Sequence, residues 1–339
     1  MIEGLKDKQN YIAGTVVCLV AIPLSIALAI ASGGEPMMGL MAAIYGPFIQ
    51  GILGGSSYNI LGPAAALANI LNASAVTYGW EIIPYLAIGG GLISLLTVKI
   101  SDHKSFDELE RQGAVLEGFT IAVAIVIGFA QLNFILGLVG LKKHPQFHNN
   151  LLETFKNAGD AKATEWICFL CFFLPLVILS QRKPKPGQKR PPWIIFAAII
   201  GVIFGYVSHH WYPKITPRLL KDQYPDMKES KIYDFTYLEA WGEIPISAII
   251  IGSLKVSFVA VFETIISAII AQDKYTAMNR ASTPLGEEPP QPMPFTRSPE
   301  VLGLSLGNLV SGVLGGMPCT GVLVRTGVNI EYGGESRAS

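Results

Sequence analysis

The chain has 339 residues, half of them apolar and only 15% charged, and its acidic and basic side chains cancel to a net charge of zero. Soluble domains carry nearer ~25% charge, so this composition excludes an ordinary soluble globule. The neutral balance also lacks the basic footprint of a nucleic-acid binder.

Ten apolar segments follow one another. The first, 11–32, comes after Lys6 and Lys8. It spans ~20 residues without a clean cleavage site, so it reads as a crossing helix and not a signal peptide. The second covers 36–54. The third, 62–76, is too short to cross and opens at Leu61-Gly62-Pro63-Ala64-Ala65-Ala66. A proline suits a first helical turn because its missing N–H is one that turn would not use. The fourth covers 82–98 and is followed by Lys99, Lys104 and Arg111. The fifth, 113–132, carries Glu117 near its start, read as interfacial. A short interfacial helix is expected within 141–163.

The sixth segment, 165–181, holds Cys168-Phe-Leu-Cys171. No histidine or second cysteine pair accompanies it, so its thiols read as small hydrophobes and no metal or cofactor is expected. The loop Gln181-Arg-Lys-Pro-Lys-Pro-Gly-Gln-Lys-Arg190 has five basic residues. The seventh segment covers 192–208. The eighth, 249–271, places Glu263 in mid-membrane with Thr264 beside it and Ser267 one turn later. An intramembrane carboxylate must be protonated, paired or hydrated, so this group is a candidate proton or sodium coupling site. After Lys274, Arg280 and a proline-rich loop over 281–299 come the ninth segment, 299–314, and the tenth, 318–330.

The tenth is again too short to cross, and it opens at Gly315-Gly-Met-Pro318-Cys319-Thr320-Gly321 with Arg325 two turns in. Two half-helices starting at Gly/Pro breaks inside a membrane protein point their positive N-terminal ends at a substrate. The predicted anion site therefore comprises Gly62, Pro63, Ala64, Ala65 and Ala66 with Pro318, Cys319, Thr320, Gly321 and Arg325. Backbone N–H groups at 64–66 and 319–321 are expected to be unpartnered, Thr320 adds a hydroxyl, and Arg325 supplies charge or lies at a gate or interface. A site built of backbone suits a dispersed charge such as sulfate or bicarbonate. The blander reading of these small residues is tight helix crossing, and both readings hold together.

The basic loops fall on one side if the spans alternate, which places residues 1–10 in the cytoplasm. The two half-helices stand seven spans apart and so enter from opposite sides, as an inverted repeat of seven plus seven spans requires. The expected fold is thus an all-α polytopic membrane protein of that repeat, with about ten of fourteen spans present. The alternative is a natural ten-span protein.

The ordered motifs carry a resemblance. They are Ala13-Gly-Thr through Pro23-Leu-Ser to Gly33, Gly39-Leu-Met-Ala-Ala-Ile-Tyr-Gly46, Leu53-Gly-Gly-Ser56, Ile60-Leu-Gly-Pro-Ala-Ala-Ala66, Glu117-Gly-Phe-Thr120, Phe262-Glu-Thr-Ile-Ile-Ser-Ala268, Glu300 to Asn308 and Gly315 to Gly321. This series resembles the sulfate permease family, also called the solute carrier 26 anion transporters. The resemblance implies a transporter domain over 11–334, with core spans at 11–98 and 249–330 and gate spans at 113–208. It implies an anion between the third and tenth helices, cation coupling at the acid of Glu263, a homodimer and usually a C-terminal regulatory domain, which is not expected within these residues; the expected location is the plasma membrane. Leu24 stands where many members have glutamine. The expected function is secondary active transport of sulfate or bicarbonate. An anion channel, a nucleobase transporter of the same architecture and a non-transporting fragment are the alternatives. No catalytic constellation is present, so an enzyme is not expected.

Overall fold

A computed structural model describes residues 8–99, 131–138, 140–181, 193–211, 231–283 and 295–336, with isolated positions at 118–129 and 288–293. Most of the fifth predicted segment, with Glu117, and the basic loop at 182–190 lie outside the described residues. The chain forms two compact units, Met1–Val123 with Lys231–Ser339, and Ala124–Ser230.

The first unit holds α1 (Lys8–Ala31), α2 (Pro36–Leu53), β1 (Leu61–Gly62), α3 (Ala65–Tyr78) and α4 (Ile82–Thr97). In the second unit, a single turn at Leu132–Ile135 precedes α5 (Phe147–Lys156), α6 (Ala163–Gln181) and α7 (Trp193–Trp211). The first unit resumes with α8 (Ile246–Ser282), α9 (Arg297–Val313), β2 (Thr320–Gly321) and α10 (Leu323–Glu331). Helix α5 falls within the stretch 141–163, where a short helix is predicted.

Three of the predicted segments differ in extent. Helix α3 begins at Ala65, so Pro63 stands before its first turn and not in it. Helix α8 runs on beyond residue 271 to Ser282, because no proline or glycine interrupts the turn after Asp273. The tenth segment does not become helical at Pro318. Residues 316–319 and β2 are extended, and α10 begins only at Leu323.

The first unit is built from close crossings. Helix α9 packs along α4 and α2, α8 packs along α4, and α1 lies against α2 and α10. Gly91 of α4 faces the Ser305 carbonyl of α9, and Gly312 of α9 faces Pro84 of α4. A Cβ at either glycine would sit under 3 Å from backbone, so both are needed for the two helices to approach this closely. The opposite face of α8 presents Ile246, Ile250, Leu254 and Phe258 outward at four-residue spacing, all more than half exposed. An apolar stripe of that kind is what a lipid-facing helix offers. Helices α1, α2 and α8 are long and apolar enough to cross a membrane.

In the second unit α6 and α7 pack together through the edge-to-face pair Phe172 and Phe204. The turn at Leu132–Ile135 lies against α6, and the Lys162 N–H donates to the Leu136 carbonyl.

Candidate functional site

The two helix breaks meet. Strands β1 and β2 pair antiparallel, Leu61 opposite Gly321 and Gly62 opposite Thr320. The Val322 N–H extends the ladder to the Ile60 carbonyl at 2.9 Å. Extended backbone inside a membrane protein must be satisfied internally, and each break satisfies the other. Helices α3 and α10 start immediately after these strands. With 14 and 9 residues, they are roughly 21 and 14 Å long at ~1.5 Å per residue, too short to cross.

This arrangement corrects the expectation that the second break offers free backbone donors. The Cys319 N–H donates to Asn308 Oδ1 at 2.6 Å, and Asn308 Nδ2 returns a bond to the Cys319 carbonyl at 3.1 Å. The Gly321 N–H donates to Thr264 Oγ1 at 2.8 Å. The Thr320 hydroxyl donates to Glu263 Oε2 at 2.7 Å, so it serves the carboxylate of α8. These donors are used up in closing the break, since Pro318 and two glycines leave no helix to absorb them. At the first break, Gly62, Pro63, Ala64 and Ala65 are buried and Ala66 is partly exposed. The N–H groups of Ala65 and Ala66 open α3 and have no acceptor within it.

Arg325 is buried inside the protein, 1% exposed. Its Nη2 donates to Ser25 Oγ of α1 at 2.6 Å and its Nη1 reaches the Leu61 carbonyl at 3.4 Å. Its Nε is buried without a partner. Among the described residues no carboxylate lies within ion-pair distance of it, Glu263 included. The guanidinium therefore sits against the β1 break with neutral acceptors only. A Cβ on Gly62 would overlap it. Gly62→Ala is expected to destabilise the protein by ~1–3 kcal/mol, the usual cost of overpacking. The melting temperature in detergent checks this, with Gly159→Ala, which meets nothing within 4 Å, as the control that leaves it unchanged.

Glu263 is 6% exposed, and Thr264 and Ser267 are fully buried beside it. Sequence reasoning missed what these residues touch. Asn59 donates through Nδ2 to the Thr264 carbonyl at 3.2 Å and to Glu300 Oε1 at 2.7 Å. Its Oδ1 accepts from Ser267 at 2.7 Å and from Thr326 at 3.1 Å. Glu300 Oε2 accepts from the Gly55 and Ser56 N–H groups, each at 2.8 Å. Glu300 lies at the start of the ninth predicted segment and is fully buried. The signal that could have found it is an ionisable group within one turn of an apolar run. Ser25 carried none.

Thus Arg325 with Ser25 gathers against β1 at Leu61 and Gly62, and Glu263 and Thr264, with Ser267 one turn on, gather against β2 at Thr320 and Gly321. The first arrangement supplies an uncompensated buried cation at the head of two helices, and the second supplies oxygen ligands around a buried carboxylate.

Comparison with known proteins places this geometry in a group. Residues 8–280 match the model of the Sulfate permease family. A Bacillus subtilis protein assigned as a sulfate transporter, YvdB, is 26% identical over 98% of this chain and 58% of its own length. The sodium-independent sulfate anion transporter of Bos taurus is 26% identical over 96% of this chain and 54% of its own length. The chain thus spans about half the length of the curated relatives it matches. Among solved structures, the transmembrane domain of a cyanobacterial bicarbonate transporter, BicA, superposes with a TM-score of 0.70 at 16% identity, covering 100% of this chain and 79% of that one. The superposition shows a shared fold, and the family-model match over residues 8–280 shows that this chain belongs to the Sulfate permease family.

Proposed function

We propose that this chain is the anion-carrying part of a secondary active transporter for sulfate or bicarbonate. The anion would bind at Arg325, between the N-terminal ends of α3 and α10. The observation that carries this reading is the buried Arg325 guanidinium, whose Nε has no partner and which, among the described residues, pairs with no carboxylate. A tetrahedral or planar oxyanion accepts from such a fork bidentately and supplies the missing counter-charge. The first-turn N–H groups of α3 and the α10 dipole add to the same field. Glu263, Thr264 and Ser267 would hold the coupling proton or sodium ion.

Relatives named as sulfate and bicarbonate transporters support this anion class. The lysine and arginine distribution supports a cytoplasmic N-terminus, and we assign the protein to the plasma membrane as a homodimer by analogy with the family. Movement of the core spans, 11–98 and 249–330, would carry the anion to either side of the membrane. Uptake of radiolabelled sulfate into liposomes tests the reading. Unlabelled sulfate and bicarbonate should compete and uracil should not. Uptake of radiolabelled uracil with none of sulfate would make it a nucleobase transporter of the same architecture.

A further inference from the structure

Asn59 joins the two halves of the site. Its carboxamide has two donors and two acceptor positions, and all four are occupied by residues from three helices. One donor goes to Glu300 of α9 and one to the Thr264 carbonyl of α8. The acceptor oxygen takes Ser267 of α8 and Thr326 of α10. Because a carboxylate only accepts, the bond to Glu300 fixes which end of the amide faces which partner. Glu300 also takes the Gly55 and Ser56 N–H groups, so one carboxylate holds both the Asn59 side chain and the chain segment that carries it. Thr326 in turn accepts from the Ile60 N–H at 3.0 Å.

Ser267 lies one turn from Glu263, and Thr326 directly follows Arg325. The route from the cation group to the anion group is therefore two hydrogen bonds through one oxygen. We propose that Asn59, seated on Glu300, is the positioning residue that couples cation binding on α8 to anion binding on α10. This rests on the reading above. A cation at Glu263 drawing on the lone pairs of Ser267 polarises its O–H and strengthens the bond it donates to Asn59, as linked hydrogen bonds do. Asn59 then holds Thr326, and with it the first turn of α10 that aims Arg325. Coupling of this kind is reciprocal and typically worth ~5–150-fold in affinity.

The test is a ratio. Radiolabelled sulfate binding to the protein in liposomes is measured with and without sodium, and again at two pH values. Wild type is expected to bind at least about tenfold more tightly with its coupling ion. Asn59→Leu should bring that ratio below about twofold, whatever its absolute affinity, and Thr326→Val should do the same by removing one of the four bonds. Thr326→Ser, which keeps the hydroxyl, should restore it. A uniform loss of folded protein does not move this ratio. If Asn59→Leu does not fold, the Thr326 pair decides. A wild-type ratio retained in Thr326→Val overturns the role of Asn59 alone. A wild-type ratio of one for both ions overturns cation coupling itself and this inference with it.

Discussion

Arg325→Gln abolishes sulfate binding, with an expected loss of at least ~100-fold, or ~2.7 kcal/mol at ~1.36 kcal/mol per factor of ten. The reasoning starts from cost. A buried guanidinium held by a serine oxygen and one long bond to a carbonyl has given up its hydration for neutral partners, and an uncompensated buried ion is expensive. A residue kept for folding would be paired or replaced by something apolar. The same residue becomes favourable when an oxyanion arrives, since charge-assisted bonds in a dry site are strong. Two consequences separate the roles. Without sulfate, Arg325→Gln should melt at or above the wild-type temperature. With sulfate at about a hundred times its dissociation constant, wild type should gain ~2.7 kcal/mol of stability and the variant nothing. A variant that melts lower and is still stabilised by sulfate would make Arg325 structural. Arg325→Lys keeps the charge but loses the fork, and should fall between the two.

Much of this was legible in the sequence because membranes simplify the grammar. Segments too short to cross had to be half-helices, and Gly62-Pro63 and Gly315 to Pro318 named their starting points. Glu263 was visible because charge in mid-membrane is rare. The strand pairing was not legible, since two residues of β-structure have no periodicity to read, and the position of Pro318 suggested a helix start five residues too early. That shift mattered: it turned the donors of Cys319 and Gly321 from ligand-facing groups into internal ties to Asn308 and Thr264. Asn59 and Glu300 were hidden for another reason. Their roles come from contacts across more than two hundred residues of chain, which local pattern does not encode. The sequence places Arg325 two turns into its helix. The later start of α10 brings it back against Gly62.

Glu263→Gln uncouples transport from its driving ion while sparing the fold. Its carboxylate is buried and accepts from Thr320 at 2.7 Å, and among the described residues no lysine or arginine pairs with it. Glutamine has the same shape and its oxygen still accepts that hydroxyl, so a purely structural role would survive the change. What glutamine cannot do is carry a negative charge that a proton or sodium ion neutralises. A tenfold gradient of a singly coupled monovalent ion supplies ~1.36 kcal/mol, enough for a tenfold accumulation of the anion at zero membrane potential. Wild-type liposomes are therefore expected to concentrate sulfate against its gradient, and Glu263→Gln liposomes to equilibrate it without accumulation. Exchange of labelled for unlabelled sulfate, which needs no net driving force, should persist in the variant because Arg325 is untouched. Which gradient drives wild type identifies the ion: accumulation that follows inward acidification of the outer solution marks a proton, and accumulation that follows sodium at constant pH marks the metal ion. If Glu263→Gln concentrates sulfate as wild type does, the buried acid is only the acceptor for Thr320, and the coupling site lies elsewhere.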